Sequence, residues 1–267
     1  MKQSAIMAPS FGAKLKQWRK RRGLSQLDLA CQAAVGQRHL SFIESGRSRP
    51  GKDVVHKIAR ALNLSLREQN ALLVSAGFAA PWPETRLAAS VLTPFRRMIE
   101  EMLARQMPFP AYALDRHWNM VMANPAAKAL LGVLSATKTT NLVEALLGSR
   151  DTQSGILNLD EVLAVIADEI GRDLTRLFDD PVLTRLHERL LENIPLAHRE
   201  VSTHVSPVLT VCMQIGKTQV NTNSTIARFF GPQEICLDEL RVELVYPADE
   251  ESRAFFHAAA ERVTERS

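Results

Sequence analysis

The side chains with the clearest chemistry lie in a short amphipathic segment near the start of the chain. Leu40 and Ile43, three residues apart, predict the buried stripe of a helix. The opposite side then carries groups that pair with bases, because a glutamine amide binds adenine bidentately and a guanidinium binds guanine in the major groove of DNA. These outward-facing candidates for base contacts are Gln37, Arg38, Ser41 and Phe42.

A second short helix precedes this segment and would position it. Ser25 can cap that helix, with Asp28 three residues later in a capping-box pattern. We expect Leu27 and Ala30 on its buried side, before a tight turn near Gly36. Two helices joined by such a turn predict a module that binds double-stranded DNA. A small helical bundle with a basic surface is the alternative.

The stretch from Phe11 to Gly77 resembles the lambda-repressor/Cro-like (XRE-type) helix-turn-helix family. The resemblance implies a five-helix domain whose second motif helix begins its base contacts at Gln37 and Arg38. It also implies positioning roles for five further residues. These are phosphate contacts from Gln26, Arg47 and Arg49, and a buried structural pair between Arg19 and Glu44.

Two positions depart from the pattern of that family. Ala34 stands where a turn glycine is common, and Gly36 stands where a capping serine is common. Glycine is an acceptable N-cap, so the prediction of a helix-turn-helix stands. The two departures leave the geometry of the turn open.

Charge is distributed unevenly along the chain. Residues 1–80 contain 14 Lys and Arg but 4 Asp and Glu, whereas the remainder contains 19 basic and 25 acidic residues. A concentrated basic region is expected of a domain that binds phosphates, and an acidic body should be repelled by DNA. Solvated charged faces are the alternative, but they do not account for the segregation.

The chain is long enough for two domains, each with its own core. We predict an all-α DNA-binding domain at residues 1–78, including helices near residues 52–62 and 66–76. An Ala- and Pro-rich linker follows at 79–93. The second domain is predicted at 94–267 and opens with a helix around residues 95–103, after Pro94 in its first turn.

The second domain has the pattern of an α+β fold. Two short strands come early, helical periods fill the middle, and three strands come late, so we predict one antiparallel sheet with helices against one face. The expected strands are 112–114, 118–123, 208–215, 218–230 and 240–246.

Three stretches of this domain resemble a PAS-related module, the MmyB-like ligand-binding domain. They are PAYALDRHWNMVMANPAAKALLG, NLVEALLG, and NSTIARFFGPQEICLDELRVELVYPADEESRAFF. The module occurs behind this type of helix-turn-helix in bacterial regulators and is thought to hold fatty-acid-like ligands. The resemblance therefore implies a PAS-like domain with a cavity for a small apolar ligand.

Apolar residues beyond one obvious core give candidates for the pocket lining. Thioether and aromatic side chains adapt to flexible apolar guests, although a filled core is the alternative. The aromatic and methionine candidates are Trp118, Met120, Met122, Phe178 and Phe229, and the candidate polar anchors are Asn124 and Arg228.

The chain lacks the common motifs of catalysis and metal binding. It has no GxSxG, Walker, HExxH or GxGxxG pattern, and its three cysteines are widely spaced, so we expect no catalytic site, metal or cofactor other than a bound fatty acid or similar apolar ligand. Without a signal peptide or an apolar run long enough to span a membrane, we expect a cytoplasmic protein with no membrane partner.

These patterns together predict a one-component transcriptional regulator. One helix-turn-helix makes few base contacts, so we expect a homodimer that spans two half-sites, held by the second domain and its opening helix. Two rival functions remain open. The chain could be a constitutive DNA-binding protein whose second domain only dimerises, or, against the missing motifs, an enzyme with a DNA-binding head.

Overall fold

The computed structural model describes residues 10–134, 139–151, 155–176, 180–196 and 208–264. These residues form two compact units. The first comprises residues 10–84 with two short later segments, 175–176 and 233–238, and the second comprises the other described residues.

The described helices and strands are numbered in chain order. The helices are α1 Phe11–Arg21, α2 Gln26–Gln32, α3 Gln37–Glu44, α4 Lys52–Ala61, α5 Leu66–Ser75, α6 Thr93–Arg105, α7 Pro125–Leu134, α8 Leu142–Gly148, α9 Leu159–Arg176, α10 Pro181–Asn193, α11 Ile235–Asp238 and α12 Glu250–Thr264. The strands are β1 Ala111–Leu114, β2 Met120–Ala123, β3 Thr210–Ile215, β4 Thr218–Ala227 and β5 Arg241–Pro247.

Local capping sets the helix starts of the first unit. Ser25 and Asp28 form the predicted capping box at α2, because the Ser25 hydroxyl accepts from Asp28 N at 3.1 Å and the Asp28 carboxylate accepts from Ser25 N at 2.9 Å. Ser65 and Glu68 form a second box at α5. Each box satisfies backbone N–H groups that a helix start leaves without partners.

The core of the first unit packs helices α1 to α5 around fully buried apolar side chains. Leu40 and Ile43 of α3 belong to this core, as their spacing predicted. Leu27 does not, since 53% of it is exposed, and Leu29 is buried in its place. Leu29 and Ala33 lie four residues apart on one helical stripe, which turns Leu27 toward the opposite side.

The expected linker begins inside the first unit. The Trp82 backbone N–H donates to Asn70 Oδ1 at 3.1 Å, and the Asn70 amide donates to Trp82 O at 2.6 Å. Arg67 of α5 forms an ion pair with Glu84. Helix α11 belongs to the same unit, where the Asp238 carboxylate accepts from Leu66 N at the start of α5. Residues 79–84 are therefore packed against α5.

The second unit contains the predicted antiparallel sheet of two early and three late strands. Its strand order is β2-β1-β5-β4-β3, with every neighbouring pair antiparallel. The second strand is shorter than predicted and begins at Met120. Trp118 lies in the preceding turn with φ 66°, so the alternation expected from Trp118 to Met122 is interrupted.

Helices cover both faces of this sheet rather than one. Ala111, Ala113 and Val242 pack against Ile99 and Leu103 of α6. The intervening residues of β1 and β5 point the other way, because side chains alternate across a strand. That second face lies opposite α7, α8 and α9, whose apolar residues line a cavity with it.

Candidate DNA interface and ligand pocket

The exposed face of α3 carries the predicted base-reading residues. Gln37 and Arg38 are exposed in its first turn, while Ser41 and Phe42 are half-buried. The Arg38 guanidinium carbon lies 5.4 Å from the centroid of the Phe42 ring, a cation–π distance that directs the guanidinium along the helix. Two donors thus stand at the exposed N-terminal end of a helix held in place by its buried side.

Arg19, Gln26 and Glu44 form a network that ties α3 to α1 and α2. Arg19 Nε donates to Glu44 Oε1 at 2.6 Å and Nη2 donates to Oε2 at 2.9 Å, a bidentate pair. Arg19 Nη1 also donates to Leu24 O at 2.8 Å. The Gln26 amide donates to Glu44 Oε2 at 2.7 Å. This bond uses one of the two amide protons of Gln26.

The same network sets the ionisation of Glu44. Burial alone would raise its pKa, but the hydrogen bonds from Arg19 and Gln26 outweigh that effect and hold the pKa below its ordinary value. The Arg19 guanidinium has a raised pKa for the same reason, chiefly its hydrogen bond to Glu44. Both partners are therefore charged across the physiological range.

Gly12 allows α1 to approach the end of α3 closely. A Cβ at this position would lie 2.5 Å from Glu44 O and 2.6 Å from Ile43 O, distances that real Cβ atoms essentially never show. The obstructing atoms are backbone carbonyls, which cannot rotate away. Gly12 thereby fixes α3 from its C-terminal end, and nothing in the helix-turn-helix motif itself indicates this role.

The turn before α3 keeps its geometry without the usual residues. Ala34 adopts φ 50° in the left-handed region that favours glycine. Gly36 is the N-cap of α3 and leaves the first turn without a side-chain acceptor. The turn is therefore formed, with some backbone strain at Ala34.

The loop after α3 presents the predicted phosphate-binding arginines. Gly46 adopts φ 75° and turns the chain, and Arg47 N then donates to Phe42 O at 2.8 Å. Arg47 and Arg49 are both exposed. They lie one on each side of Ser48 in a short loop, which suits contact with a phosphate backbone.

The second unit holds a cavity of about 270 Å³ between the sheet and its helices. Most of its wall is aliphatic, with leucines and valines from α7, α8 and α9 facing valines and isoleucines of the strands. Such a wall favours a flexible apolar guest. The polar or ionisable residues in its lining are Tyr112, Trp118, Glu169, Thr222, Ser224 and Glu243.

Glu243 is the ionisable group at the sheet side of this cavity. It pairs across β5 with Tyr112 of β1 and with Ile226 of β4. Burial raises the pKa of Glu243, and the nearby Ser224 and Tyr112 hydroxyls and the Arg241 charge reduce that rise without cancelling it. Burial and the neighbouring Glu243 likewise raise the pKa of Tyr112 well above its ordinary value.

Sequence-family comparisons match both units. A helix-turn-helix model matches residues 15–69, and the model described as MmyB-like transcription regulator ligand binding domain matches residues 95–259. The second match covers more than half of the chain. The chain belongs to the MmyB-like family. No curated protein matches the chain.

The two matches make the chain a ligand-responsive transcription regulator with a DNA-binding helix-turn-helix. Both describe regulator domains rather than enzymes. Among the described residues, no helix is long and apolar enough to cross a membrane. The same residues contain no group of three His, Cys, Asp or Glu placed to hold a metal ion.

Of the proposed pocket residues that the structure of this MmyB-like domain describes, only one lines the cavity. Trp118 does so, and Phe178 lies outside the described residues. Met122 and Phe229 instead pack with the core beside α6, on the opposite face of the sheet. Met120 does not line the cavity either, because Trp118 lies in a turn and not in the strand that was expected to carry both residues on one face.

Neither of the two proposed polar anchors lines this cavity. Arg228 is exposed and does not line the cavity. Asn124 is buried, but its side chain serves the backbone: Oδ1 accepts from Ala111 N and Ala127 N, and Nδ2 donates to Leu103 O and Phe109 O. The Asn124 amide therefore uses its hydrogen bonds to join β1, α6 and α7.

Glu243 and Tyr112 are ionisable residues of the sheet that do line the cavity. The sequence signal was present in β5, where Arg241 and Glu243 interrupt the apolar run LRVELVY. Alternation places Glu243 on the same face as Val245 and opposite Val242 and Leu244. Which face borders a cavity follows from packing and not from the strand itself.

Proposed function

We propose that the chain is a homodimeric, one-component regulator that reads a specific DNA sequence with α3 and responds to an apolar, fatty-acid-like ligand. The observation that carries this proposal is the apolar cavity of the second unit, in a chain whose first unit exposes Gln37 and Arg38. Because it must reach chromosomal DNA, we place its action in the cytoplasm.

Base reading is tested after selecting the preferred site from random duplexes. Gln37→Ala and Arg38→Ala should each cost about 1–3 kcal/mol at that site and relax preference at one or two base pairs. Gln17→Ala, an exposed glutamine of α1, is the matched control. Equal weakening on random DNA would remove the base-reading role from either residue.

Phosphate contacts should act on every sequence alike. Arg47→Ala or Arg49→Ala should weaken specific and non-specific binding together and reduce the slope of log affinity against log salt by about 1. We expect Gln26→Ala to weaken both as well. An unchanged salt slope in the arginine variants would contradict this assignment.

The opening helix of the second unit supports the proposed dimer. Val91, Phe95 and Met98 lie near one another in sequence at helical spacing and are 68%, 42% and 48% exposed. A second copy would bury them. Met98→Glu should therefore shift sedimentation from dimer to monomer, whereas Glu101→Gln on the same helix should not. A wild-type monomer at micromolar concentration, with and without DNA, would refute the dimer.

Ligand sensing is tested with simple alkyl compounds on the full chain. A ligand that binds only the folded state raises Tm by mass action, and it changes DNA affinity only if it binds two states unequally. Decanol, dodecanol and laurate supply chains of different length and end group. At least one should raise Tm and alter affinity for the selected site.

A cavity-filling variant supplies the control for sensing. Val165 lines the cavity from α9, so Val165→Phe should abolish both ligand effects. Val121→Phe makes the same change at an exposed position of β2 and should leave both effects intact. If no alkyl compound changes Tm or DNA affinity, the chain is better described as a constitutive DNA-binding protein whose second unit dimerises.

A further inference from the structure

We infer that Arg241 and Trp118 together bind the polar end of the ligand, and that this end is a carboxylate. The inference rests on the proposed function, because it concerns the same cavity. It is carried by buried hydrogen-bond donors that meet beside the cavity wall and have no acceptor in the described part of the chain.

Arg241 lies on the cavity side of β5. Glu243 and Val245 of the same strand line the cavity. Residues two apart on a strand project their side chains to one face and lie about 7 Å from each other, so Arg241 shares this face. Its guanidinium carbon is 4.3 Å from the centroid of the Trp118 ring, and Trp118 also lines the cavity. The charge of Arg241 is therefore one side chain away from the apolar space.

The donors of this stacked pair are buried and unsatisfied. Arg241 is 3% exposed and Trp118 is 6% exposed. Within the described residues, Nη1 and Nη2 of Arg241 and Nε1 of Trp118 have no hydrogen-bond partner. Buried polar groups are nearly always paired, because an unpaired one loses the hydrogen bonds that it had with water. Three such nitrogens in one stacked pair favour a ligand group that brings acceptors.

Asp173 of α9 offsets the charge of Arg241 without using these donors. Its Oδ2 lies 3.6 Å from Arg241 Nη1, an ion-pair distance that is too long for a hydrogen bond. The Asp173 side chain is 23% exposed, so water screens the attraction. Burial lowers the pKa of Arg241, yet a guanidinium keeps its proton throughout the physiological range. The site therefore holds a buried cation whose Nη donors can still bind an anion.

A carboxylate matches the geometry and the charge of these donors. Its two oxygens accept in parallel from the planar fork of a guanidinium, which is among the strongest hydrogen-bonded pairs in proteins. Its remaining lone pairs can accept from the indole N–H of Trp118. An alcohol offers one uncharged oxygen, so it gains less from the same donors.

The two acids in the cavity wall do not occupy the Arg241 donors. Glu169 accepts from Arg172 Nη2 at 2.7 Å, so it is paired on its own helix. Burial raises the pKa of Glu243, which favours the uncharged form of that carboxyl. Repulsion of a ligand carboxylate by these acids is therefore reduced.

The turn before β2 holds the indole in position. The Asp115 carboxylate accepts from His117 N at 2.8 Å and from Asn119 N at 2.9 Å. Trp118 O accepts from Leu142 N at 2.9 Å. These bonds hold Trp118 at φ 66°, a conformation that bulky residues rarely adopt and that is typical of ligand-binding and switch regions. The Nε1 donor is thus positioned by the protein itself, which lowers the entropy cost of binding.

The experiment compares laurate and dodecanol, which share an alkyl chain and differ at the end group. Each displaces the neutral fluorophore N-phenyl-1-naphthylamine from the full-length protein at pH 8. We expect laurate to bind at least about tenfold more tightly, the scale of one hydrogen bond between charged groups. Equal or tighter binding of dodecanol, as expected if Asp173 or water satisfies Arg241 in solution, would overturn the inference and leave the proposed function standing. Failure of both compounds to bind would refute the proposed function itself.

Arg241→Met tests the cation directly. Methionine keeps an unbranched apolar stem, so the affinity for dodecanol, which reports an intact cavity, should change by less than about threefold. The affinity for laurate should fall about tenfold or more. Arg228→Met removes an exposed arginine just after β4 and is the matched control, with both affinities unchanged. An unchanged preference for laurate in folded Arg241→Met, or an equal loss in Arg228→Met, would overturn the contact with Arg241.

Trp118→Phe tests the indole donor. Phenylalanine keeps a ring beside Arg241 and removes the Nε1 donor, so the affinity for laurate should fall about fivefold, the scale of one hydrogen bond, while that for dodecanol changes less. The wild-type comparison stands without any variant, so loss of folding in one of them does not remove the test. An unchanged affinity for laurate in folded Trp118→Phe would overturn the role of the indole.

Discussion

The two units differ in how fully the hydrogen-bonding capacity of a buried glutamate is used by neighbouring residues. Glu44 of the first unit receives donors from Arg19 and Gln26, and its pKa is lowered. Glu243 of the second unit faces a cavity beside the Tyr112 and Ser224 side chains, and burial raises its pKa. A carboxylate whose partners all come from its own chain fixes helix positions. A carboxyl that is only partly satisfied beside an empty space is suited to recognition.

The units also differ in how much space they leave. At Gly12 the first unit has no room for a single methyl group, whereas the second unit keeps about 270 Å³ between sheet and helices. Close packing makes α3 a rigid reading element. A cavity lowers stability relative to a filled core, a cost that a bound ligand can offset.

The largest expected effect follows from removing one partner of the closed network. Arg19→Ala leaves Glu44 buried without its cation and should lower the free energy of unfolding of the first unit by about 3–5 kcal/mol. Urea unfolding measures this. A Trp118→Phe background leaves the tryptophan signal to Trp18 and Trp82, both in the first unit.

Two variants test whether the loss comes from the uncompensated charge. Replacing both partners, Arg19→Met with Glu44→Leu, should recover most of the stability, since no charge is then left buried. Glu243→Gln should change the free energy of unfolding of the second unit by less than about 1 kcal/mol, because the amide keeps the shape of the carboxyl and leaves no buried charge. Similar losses from Arg19→Ala and Glu243→Gln would erase the contrast between the two glutamates.

The close packing at Gly12 and the cavity of the second unit predict opposite effects of a larger side chain on stability. Gly12→Ala should cost the first unit about 2 kcal/mol, since the new Cβ meets the Glu44 and Ile43 carbonyls. The same variant should weaken DNA binding through displaced α3. Val165→Phe places its ring in the cavity and should leave the second unit as stable or more stable. A destabilising Val165→Phe with a tolerated Gly12→Ala would reverse this interpretation.

The pH dependence of stability should have opposite signs at the two glutamates. The folded pKa of Glu44 lies below the ordinary value of 4.5, so its stabilising contribution is present above that pH and is lost as pH falls through the folded pKa. The folded pKa of Glu243 lies above 4.5, so its contribution is present at low pH and is lost as pH rises through the folded value.

Gln variants isolate these two terms. Glu44→Gln should flatten the loss of stability below about pH 4.5 in the first unit, and Glu243→Gln should flatten a loss that sets in above it in the second. Urea unfolding from pH 3 to pH 8 measures both. Curves whose differences from wild type have the same sign at both sites would contradict the opposite pKa shifts.

The first unit could be predicted closely from its sequence because its determinants are local. The Ser25–Asp28 capping box and the Leu40–Ile43 stripe each involve residues three apart on one helix. What the sequence missed there depends on contacts between helices. Gly12 matters only because α1 meets the end of α3, and Leu29 rather than Leu27 faces the core because of the partners around α2.

The sequence of the second unit predicted its sheet but not the residues that line its cavity. Period-2 patterning was enough to predict five antiparallel strands, yet the face that each residue occupies depends on register and turns. The positive φ of Trp118 and the irregular register near Leu114 separated Trp118 from Met120 and Met122. Asn124 looked like a polar anchor, but its four backbone partners are set by the packing of α6 and α7.

The smallest predicted effect concerns two residues that both adopt positive φ. Ala34 has φ 50° and an exposed methyl group, whereas Trp118 has φ 66° and an indole that lines the cavity and stacks with Arg241. Ala34→Gly relieves the strain and loses almost no contact, so the first unit should gain roughly 0.5–1 kcal/mol. Gly46→Ala, at φ 75° with open space around the new Cβ, should lose a similar amount.

Trp118→Gly relieves backbone strain of the same kind and should nevertheless destabilise the second unit, because it removes the wall of the cavity and uncovers Arg241. Urea unfolding of each unit measures the stability of the two variants, and the DNA affinity of Ala34→Gly is measured as well. Strain at Ala34 would then be dispensable to DNA binding, while strain at Trp118 is maintained by what its side chain contacts. A loss of DNA affinity in a stabilised Ala34→Gly variant would show instead that the left-handed turn is itself part of how α3 is presented to DNA.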